Sequence, residues 1–265
     1  MSELVSTFKS LKVEPGKLAI SWLGGAGFIF KTSTGKVVYI DPYLSDALDH
    51  YYSWKRLPGS PILILPEEVE ADLVLITHAH EDHLDPEALP QMVEASNAIF
   101  CGPPSCVAAM RGWNFPEDRL VEIEKGEQKN IAGMSLRAVL AHHVSNAGAQ
   151  TPDAVGFVLD LDGITVYHTG DTLYHEHLQD ARDFRPDVLL VCINGGYGNM
   201  GPQEAAQLVA EIDPAVVMPM HWGLVAENTS DPLDFVKSLV ETGCQARSVV
   251  MAPGDLYLAG YNRIY

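Results

Sequence analysis

Four side chains able to bind a divalent cation fall within six residues: His78, His80, Asp82 and His83, in the run His78-Ala-His80-Glu-Asp82-His83. A short apolar stretch, residues 73–77, leads straight into them. Side chains of extended backbone repeat every two residues, so His78 and His80 point the same way at its end. Asp82 and His83 reach the same space from another side once the chain turns. Neutral imidazole and carboxylate together suit zinc, manganese or iron. The chain has 10 histidines in 265 residues, and this density sets the cluster apart from a polar loop with incidental histidines. Three later segments place ligand-type residues after apolar runs: Leu140-Ala141-His142-His143, Tyr167-His168-Thr169-Gly170-Asp171-Thr172 and Met218-Pro219-Met220-His221-Trp222-Gly223. Singly, each reads as a turn or a cap. Together they place donors repeatedly at strand ends, where loops converge. Asp41, before Pro42, also follows a strand-like run and is a candidate to orient a ligand histidine from behind.

The elements that must carry these residues are mostly short β-type runs, at residues 18–22, 28–31, 37–40, 73–77, 98–101, 136–140, 155–159, 164–168, 188–193 and 215–218. Their brevity and β-branched content favour strands. Residues 28–40 read as a hairpin turning around Gly35, and residues 155–167 as another turning at Asp162-Gly163. Helices are expected from Gly201-Pro202 to about Ile212 and from Asp231-Pro232 to about Thr242, with Ser105 capping a short one to Arg111. Hairpins open both halves and helices follow. That order fits two packed sheets with helices outside, more than a doubly wound parallel sheet.

Composition narrows the class of function. Apolar residues make up 47% and charged residues 20%, an ordinary globular balance, and 265 residues suit one domain spanning 1–265. No run approaches the roughly 18 apolar residues that cross a bilayer, and the charged N-terminal stretch lacks a signal-peptide core, so a cytoplasmic protein is expected. Lysine and arginine number 17 against 35 aspartates and glutamates, a net charge of −18. Such a surface repels nucleic acid and anionic membranes, and neither is expected as a partner. Cys101, Cys106, Cys192 and Cys244 form no CxxC pair and read as reduced and mostly buried. Gly24-Gly25-Ala26-Gly27 joins two strands and reads as a tight turn, not a phosphate loop. No Gly-x-Ser-x-Gly elbow is present, which disfavours a serine hydrolase.

His78-x-His80-x-Asp82-His83, with His143, Asp171 and His221 following in that order, resembles the metallo-β-lactamase-fold hydrolases. Trp22-Leu-Gly-Gly25, Asp41-Pro42, His168-Thr-Gly-Asp171-Thr172, Asn199-Met-Gly-Pro-Gln-Glu-Ala205 and Glu227-Asn-Thr-Ser-Asp-Pro232 resemble the branch that contains L-ascorbate-6-phosphate lactonase. The resemblance implies an α/β fold, the four-layer αβ/βα sandwich, with a metal site at one edge between the sheets. It implies His78, His80 and His143 around one ion, Asp82, His83 and His221 around a second, and Asp171 bridging. The family pattern Ala-x-His selects His143 over His142. Two divalent ions, Zn2+ or Mn2+, about 3.5–4 Å apart share a water and offer hydroxide at neutral pH, with Asp82 also able to take its proton. The implied activity is hydrolysis of a lactone or ester, on a small and anionic molecule. A phosphodiesterase resembling N-acyl-phosphatidylethanolamine phospholipase D is the enzymatic alternative, and a non-enzymatic metal-binding protein is another. A homo-oligomer is compatible with either. His50, in an aromatic loop, and Lys55-Arg56 beside it are candidate substrate contacts or plain surface. His175 and His177 are expected in a short helix, where positions i and i+2 do not share a face.

Overall fold

The computed structural model describes residues 1–143 and 151–260. The chain opens with α1 (Glu3–Ser10) and an antiparallel meander of β1 (Lys17–Gly24), β2 (Gly27–Lys31) and β3 (Val37–Ile40). After α2 (Ala47–Tyr52) come three strands that add in parallel: β4 (Leu73–Leu75), β5 (Ile99–Gly102) and β6 (Leu120–Glu122), with α3 (Leu89–Ala95) and α4 (Pro104–Gly112) on the crossovers.

The second half repeats the plan. A meander of β7 (Gln128–Ile131), β8 (Met134–Leu140), β9 (Val155–Leu161) and β10 (Ile164–His168) is antiparallel. A 3-10 helix (Glu176–Phe184) then leads to β11 (Val188–Cys192), α5 (Pro202–Ile212), β12 (Val216–Met220), α6 (Pro232–Thr242) and β13 (Arg247–Ser248), the strands adding in parallel. Finally β14 (Leu256–Gly260) returns to the first sheet and pairs antiparallel with β1. The sheet orders are β14-β1-β2-β3-β4-β5-β6 and β13-β12-β11-β10-β9-β8-β7.

Side-chain alternation explains the layering. Leu18, Ile20, Trp22, Phe28, Phe30, Val38 and Ile40 pack in one cluster with Leu136, Phe157 and Val166 of the second sheet. Ile29, Tyr39, Val74 and Phe100, one residue out of phase, pack instead with Leu4, Val5 and Phe8 of α1, Met92 of α3 and Val107 of α4. The first sheet is thus buried on both faces, which is why its strands read as continuous apolar runs. On the second sheet, Ala205, Leu208, Val209 and Ile212 of α5 and Phe235 and Leu239 of α6 complete the core. Each such large side chain stabilises the fold by about 1.5–3 kcal/mol. Two mixed sheets flanked by helices make the four-layer αβ/βα sandwich.

Some local expectations are corrected. Strand β4 ends at Leu75, not Thr77: Ile76 N still donates to Cys101 O of β5, but Thr77 N turns to the Asp41 side chain at Oδ1 and Thr77 O accepts from Val155 N. Ser105 does not cap α4: Pro103 occupies the N-cap position, with no side-chain hydrogen bond, and Ser105 lies inside the first turn. Its N and Oγ donate to the Asp153 carboxylate at 2.7 and 2.9 Å, tying α4 to the segment before β9. The four cysteines are free, three of them buried.

Candidate metal centre

Every donor singled out in the sequence follows the C-terminal end of a strand: Asp41 after β3, His78 to His83 after β4, His143 after β8, Asp171 after β10 and His221 after β12. The packed sheets bring these ends to one edge. His78 Nε2 and His143 Nε2 lie 2.9 and 3.1 Å from His80 Nδ1. His221 Nε2 lies 3.4 Å from Asp82 Oδ2, and His83 Nε2 lies 3.7 Å from the same oxygen. The Asp171 carboxylate stands between these groups, with Oδ1 3.5 Å from His83 Nε2 and Oδ2 3.3 Å from His221 Nε2 and 3.9 Å from His143 Nε2.

Three donor sets have ligand atoms within 4.8 Å of one another: His78, His80 and His143; His78, His83 and Asp171; and Asp82, His83 and His221. Among the described residues no further group of this kind occurs. His83 Nε2, His221 Nε2 and Asp171 Oδ1 are buried without a hydrogen-bond partner. A buried polar atom left unpaired is costly, and a cation coordinated by these three atoms removes that cost. The donor chemistry, burial and convergence therefore fit divalent ions.

A shell of hydrogen bonds sets the direction of each donor. Asp41 Oδ2 lies 2.7 Å from His83 Nδ1, and the same carboxylate accepts from Thr77 N and Thr77 Oγ1 at 2.8 and 2.7 Å. His143 Nδ1 faces Gly198 O at 3.2 Å, leaving Nε2 for the site. Asn199 Nδ2 donates to Asp171 Oδ2 at 2.7 Å. His168, fully buried, donates from Nε2 to Ala26 O at 2.9 Å and accepts at Nδ1 from Gly170 N at 3.1 Å. It thereby fixes the bend that carries Asp171. Gly170 sits at φ +62°, where a Cβ would come within 2.7 Å of Val155 O, so only glycine fits this close approach. His221 N donates to Gly25 O at 2.8 Å, and Trp222 packs on Trp22 at 4.8 Å between ring centroids. The turn at residues 24–27 therefore braces the His221 loop. Asp41, Tyr197 and His221 all hold positive φ, a conformation unfavourable for side chains of their size.

Electrostatics divide the donors. Burial pushes the His78 and His80 imidazoles below their usual range, so both are neutral at pH 7. Burial also disfavours charge on His83 and His221, but the carboxylates of Asp171, Asp41 and Asp82 outweigh it at His83, and those of Asp171 and Asp82 at His221. His83 is raised well above its usual range and His221 to about 10. For Asp82 and Asp171 burial works upward, yet the His83 and His221 imidazoles prevail, holding Asp82 at about 2 and Asp171 well below the carboxylate range. Clustered carboxylates and imidazoles of this kind suit a divalent cation, whose binding would compete with protons for the same atoms.

The remaining candidates lie elsewhere. His142 is exposed, pointing away from buried His143. His175 and His177 do face each other, contrary to the helical expectation, with ring centroids 5.2 Å apart. The reason is that His175 is extended and precedes the 3-10 helix, which starts at Glu176. His50 lies on the surface against Glu87 at 2.8 Å. Arg56 is neither a surface cation nor a free phosphate contact. Its guanidinium donates to Ser45 O at 2.6 Å, lies against Asp46 and covers the Tyr43 ring at 4.5 Å. Sequence reasoning missed Thr77, Gly198 and Asn199 as supports. Asn199 and His168 lay inside the quoted family segments, which was the available signal.

This sandwich with its edge cluster defines a metallo-β-lactamase-fold protein, and a family model described as "Beta-lactamase superfamily domain" matches residues 19–221. A metal-dependent hydrolase of Thermococcus kodakarensis is 34% identical over 89% of this chain and 97% of its own. One from Archaeoglobus fulgidus is 30% identical over 91% and 98%. The chain belongs to their family, the UPF0173 metal-dependent hydrolases. Among solved structures, the metallo hydrolase Igni18 of Ignicoccus hospitalis matches with a TM-score of 0.74 and 25% identity, covering 93% of this chain and 100% of that one.

Proposed function

We propose that the seven donors hold two divalent ions, Zn2+ or Mn2+, and that the protein hydrolyses a lactone or an ester of small-molecule size. His78, His80 and His143 would hold one ion, Asp82, His83 and His221 the other, with Asp171 shared. The observation that carries this reading is the Asp171 carboxylate, which approaches His83 with Oδ1 and both His143 and His221 with Oδ2. Bound ions supply Lewis-acid polarisation of the carbonyl and acidification of water.

The chain's own residues do the rest. Asp82 is ionised at neutral pH, and its side chain, 15% exposed, is the most open of the three site carboxylates. It is placed to accept a proton from the attacking water. Asn199 holds Asp171 in place, and Asp41 holds His83. The net charge of −18 disfavours a nucleic-acid substrate.

The test is parallel turnover of a δ-lactone, a phosphodiester and a thioester by protein of assayed metal content. Lactone turnover that scales with metal loading supports the reading. Faster phosphodiester hydrolysis on the same preparation overturns it.

A further inference from the structure

A row of aromatic rings runs between two of the loops that carry the candidate site. Tyr52 and Trp54 have ring centroids 5.9 Å apart, and Trp54 and Tyr197 are 5.1 Å apart. Both ends of the row are tied to the metal-centre loops. Tyr52 Oη donates to Glu81 Oε1 at 2.9 Å, and Glu81 lies between His80 and Asp82. Tyr197 directly precedes Gly198, whose carbonyl faces His143, and Asn199, which holds Asp171. The row thus links the loop that carries His80 and Asp82 to the loop that supports His143 and Asp171.

The row is braced yet left open. Tyr52 is 50% exposed, while Trp54 and Tyr197 are half-buried. Trp54 rests on the small cluster of Tyr43, Ala47, Leu48, Leu224 and Val225. The Arg56 guanidinium pins the same loop from behind, and Asp85 clamps its start by accepting from Leu44 N and Ser45 Oγ. Tyr197 holds φ +52°, a costly conformation for a tyrosine that directs its ring to Trp54. Exposed aromatic surface held rigid beside a polar centre is the usual make-up of a ligand pocket.

Charge decides what stacks there. Glu81 and Asp82 border the row; of the two cations that follow Trp54, Arg56 is already engaged and Lys55, which is exposed, lines a separate groove with Asp46 and Asp49. An anionic group meets like charge at this edge, whereas an uncharged planar ring gains stacking and apolar burial. We propose that Tyr52, Trp54 and Tyr197 form the recognition surface for the substrate, and that the substrate carries a neutral, planar apolar group beside its scissile bond. This rests on the hydrolase reading above and replaces the anionic sugar with a neutral aryl or flat acyl portion.

Two measurements on metal-loaded protein test it. In the first, calorimetry compares 2-naphthamide with cyclohexanecarboxamide, which share the amide and differ in the ring. The naphthyl compound should bind more tightly; Trp54→Leu and Tyr52→Leu should each erase about 10-fold of that advantage, and Trp54→Phe should keep most of it. Equal naphthamide affinity in the parent and in Trp54→Leu overturns the proposal, as does tighter binding when a sulfonate is added to the ring. In the second, the ratio of kcat/KM for dihydrocoumarin over δ-valerolactone should fall about 10-fold in Trp54→Leu, chiefly through KM. An unchanged ratio overturns the proposal. A naphthamide advantage present in the parent and lost in Trp54→Leu, with the parent turning over neither lactone, supports the aromatic surface while sinking the lactone reading, so the two fail separately.

Discussion

The carboxylate of Asp41 and the imidazole of His83, 42 residues apart, meet at 2.7 Å with both side chains wholly buried. The bond settles which nitrogen of His83 looks into the site: Nδ1 is taken, and Nε2 is left among Asp82, Asp171 and His221. Asp41→Asn should keep the bond from Thr77 N but place an amide against Nδ1. Metal affinity should drop about 10- to 100-fold, read by competition with a chromogenic chelator. Unchanged affinity would show that the Asp41 bond does not set the donor.

His142 and His143 offer a comparison between neighbours. His143 is buried with Nε2 facing His80, and His142 is exposed. His143→Ala should abolish turnover and lower metal content, while His142→Ala should stay within about twofold of the parent by the ordinary tolerance of surface sites. Equal loss in both, with folding intact, would refute this assignment.

Asp171→Asn preserves shape but removes the charge that faces both donor groups. Metal content by elemental analysis should fall by at least one ion, and turnover should drop and move to higher pH as the site water becomes less acidic. A variant with normal metal content and rate would reduce Asp171 to a turn residue.

Metal removal should be visible without any substrate. An ion present at about 100 times its Kd stabilises by about 2.7 kcal/mol. For a chain of this size that is about 5–10 °C in Tm for each ion. Dialysis against chelator should lower Tm by that amount, and adding back two equivalents of Zn2+ or Mn2+ per chain should restore it. Full restoration at one equivalent contradicts the two-ion reading.

His168 should make the fold acid-sensitive. Burial depresses its pKa below the ordinary 6.5. The neutral ring is also required geometrically, since protonated Nδ1 would oppose Gly170 N–H. An imidazole depressed in the folded state contributes stability above about pH 6.5 that is lost as pH falls below it, because the unfolded chain takes up the proton first. Tm should therefore fall between pH 7.5 and 5.5, and His168→Gln, which can make both bonds without titrating, should flatten part of that fall. Parallel curves for the two proteins would remove His168 as the cause.

The legible part of the fold was the part with strong local grammar. The runs around Val37–Ile40, Ile164–His168 and Val188–Cys192 are β-branched and bounded by turns, and Pro202 and Pro232 begin α5 and α6 where proline is favoured. Hidden elements draw their stability from neighbours instead. Gln128–Ile131 is largely polar because it lies at a sheet edge, and Arg247–Ser248 is two residues long. Glu3–Ser10 buries only Leu4, Val5 and Phe8. The seven candidate donors stood out in the sequence because cation binding demands a few residue types, and these recur at strand ends. Their supports did not: Gly198 acts through a carbonyl every residue possesses, and Asn199 and Thr77 act through bonds that exist only after the sheets have packed.

The pairing of β14 with β1 joins Leu256–Gly260 to Lys17–Ser21, strands from opposite ends of the described chain. Until residue 260 has left the ribosome, β1 offers an unpaired edge of exposed N–H and C=O groups, a template for sticking to other nascent chains. Closing that edge is a contact of very large sequence separation, which slows folding because so much chain entropy must be lost first. Truncation before β14 should therefore show itself as insolubility during expression, even though every candidate donor is still encoded.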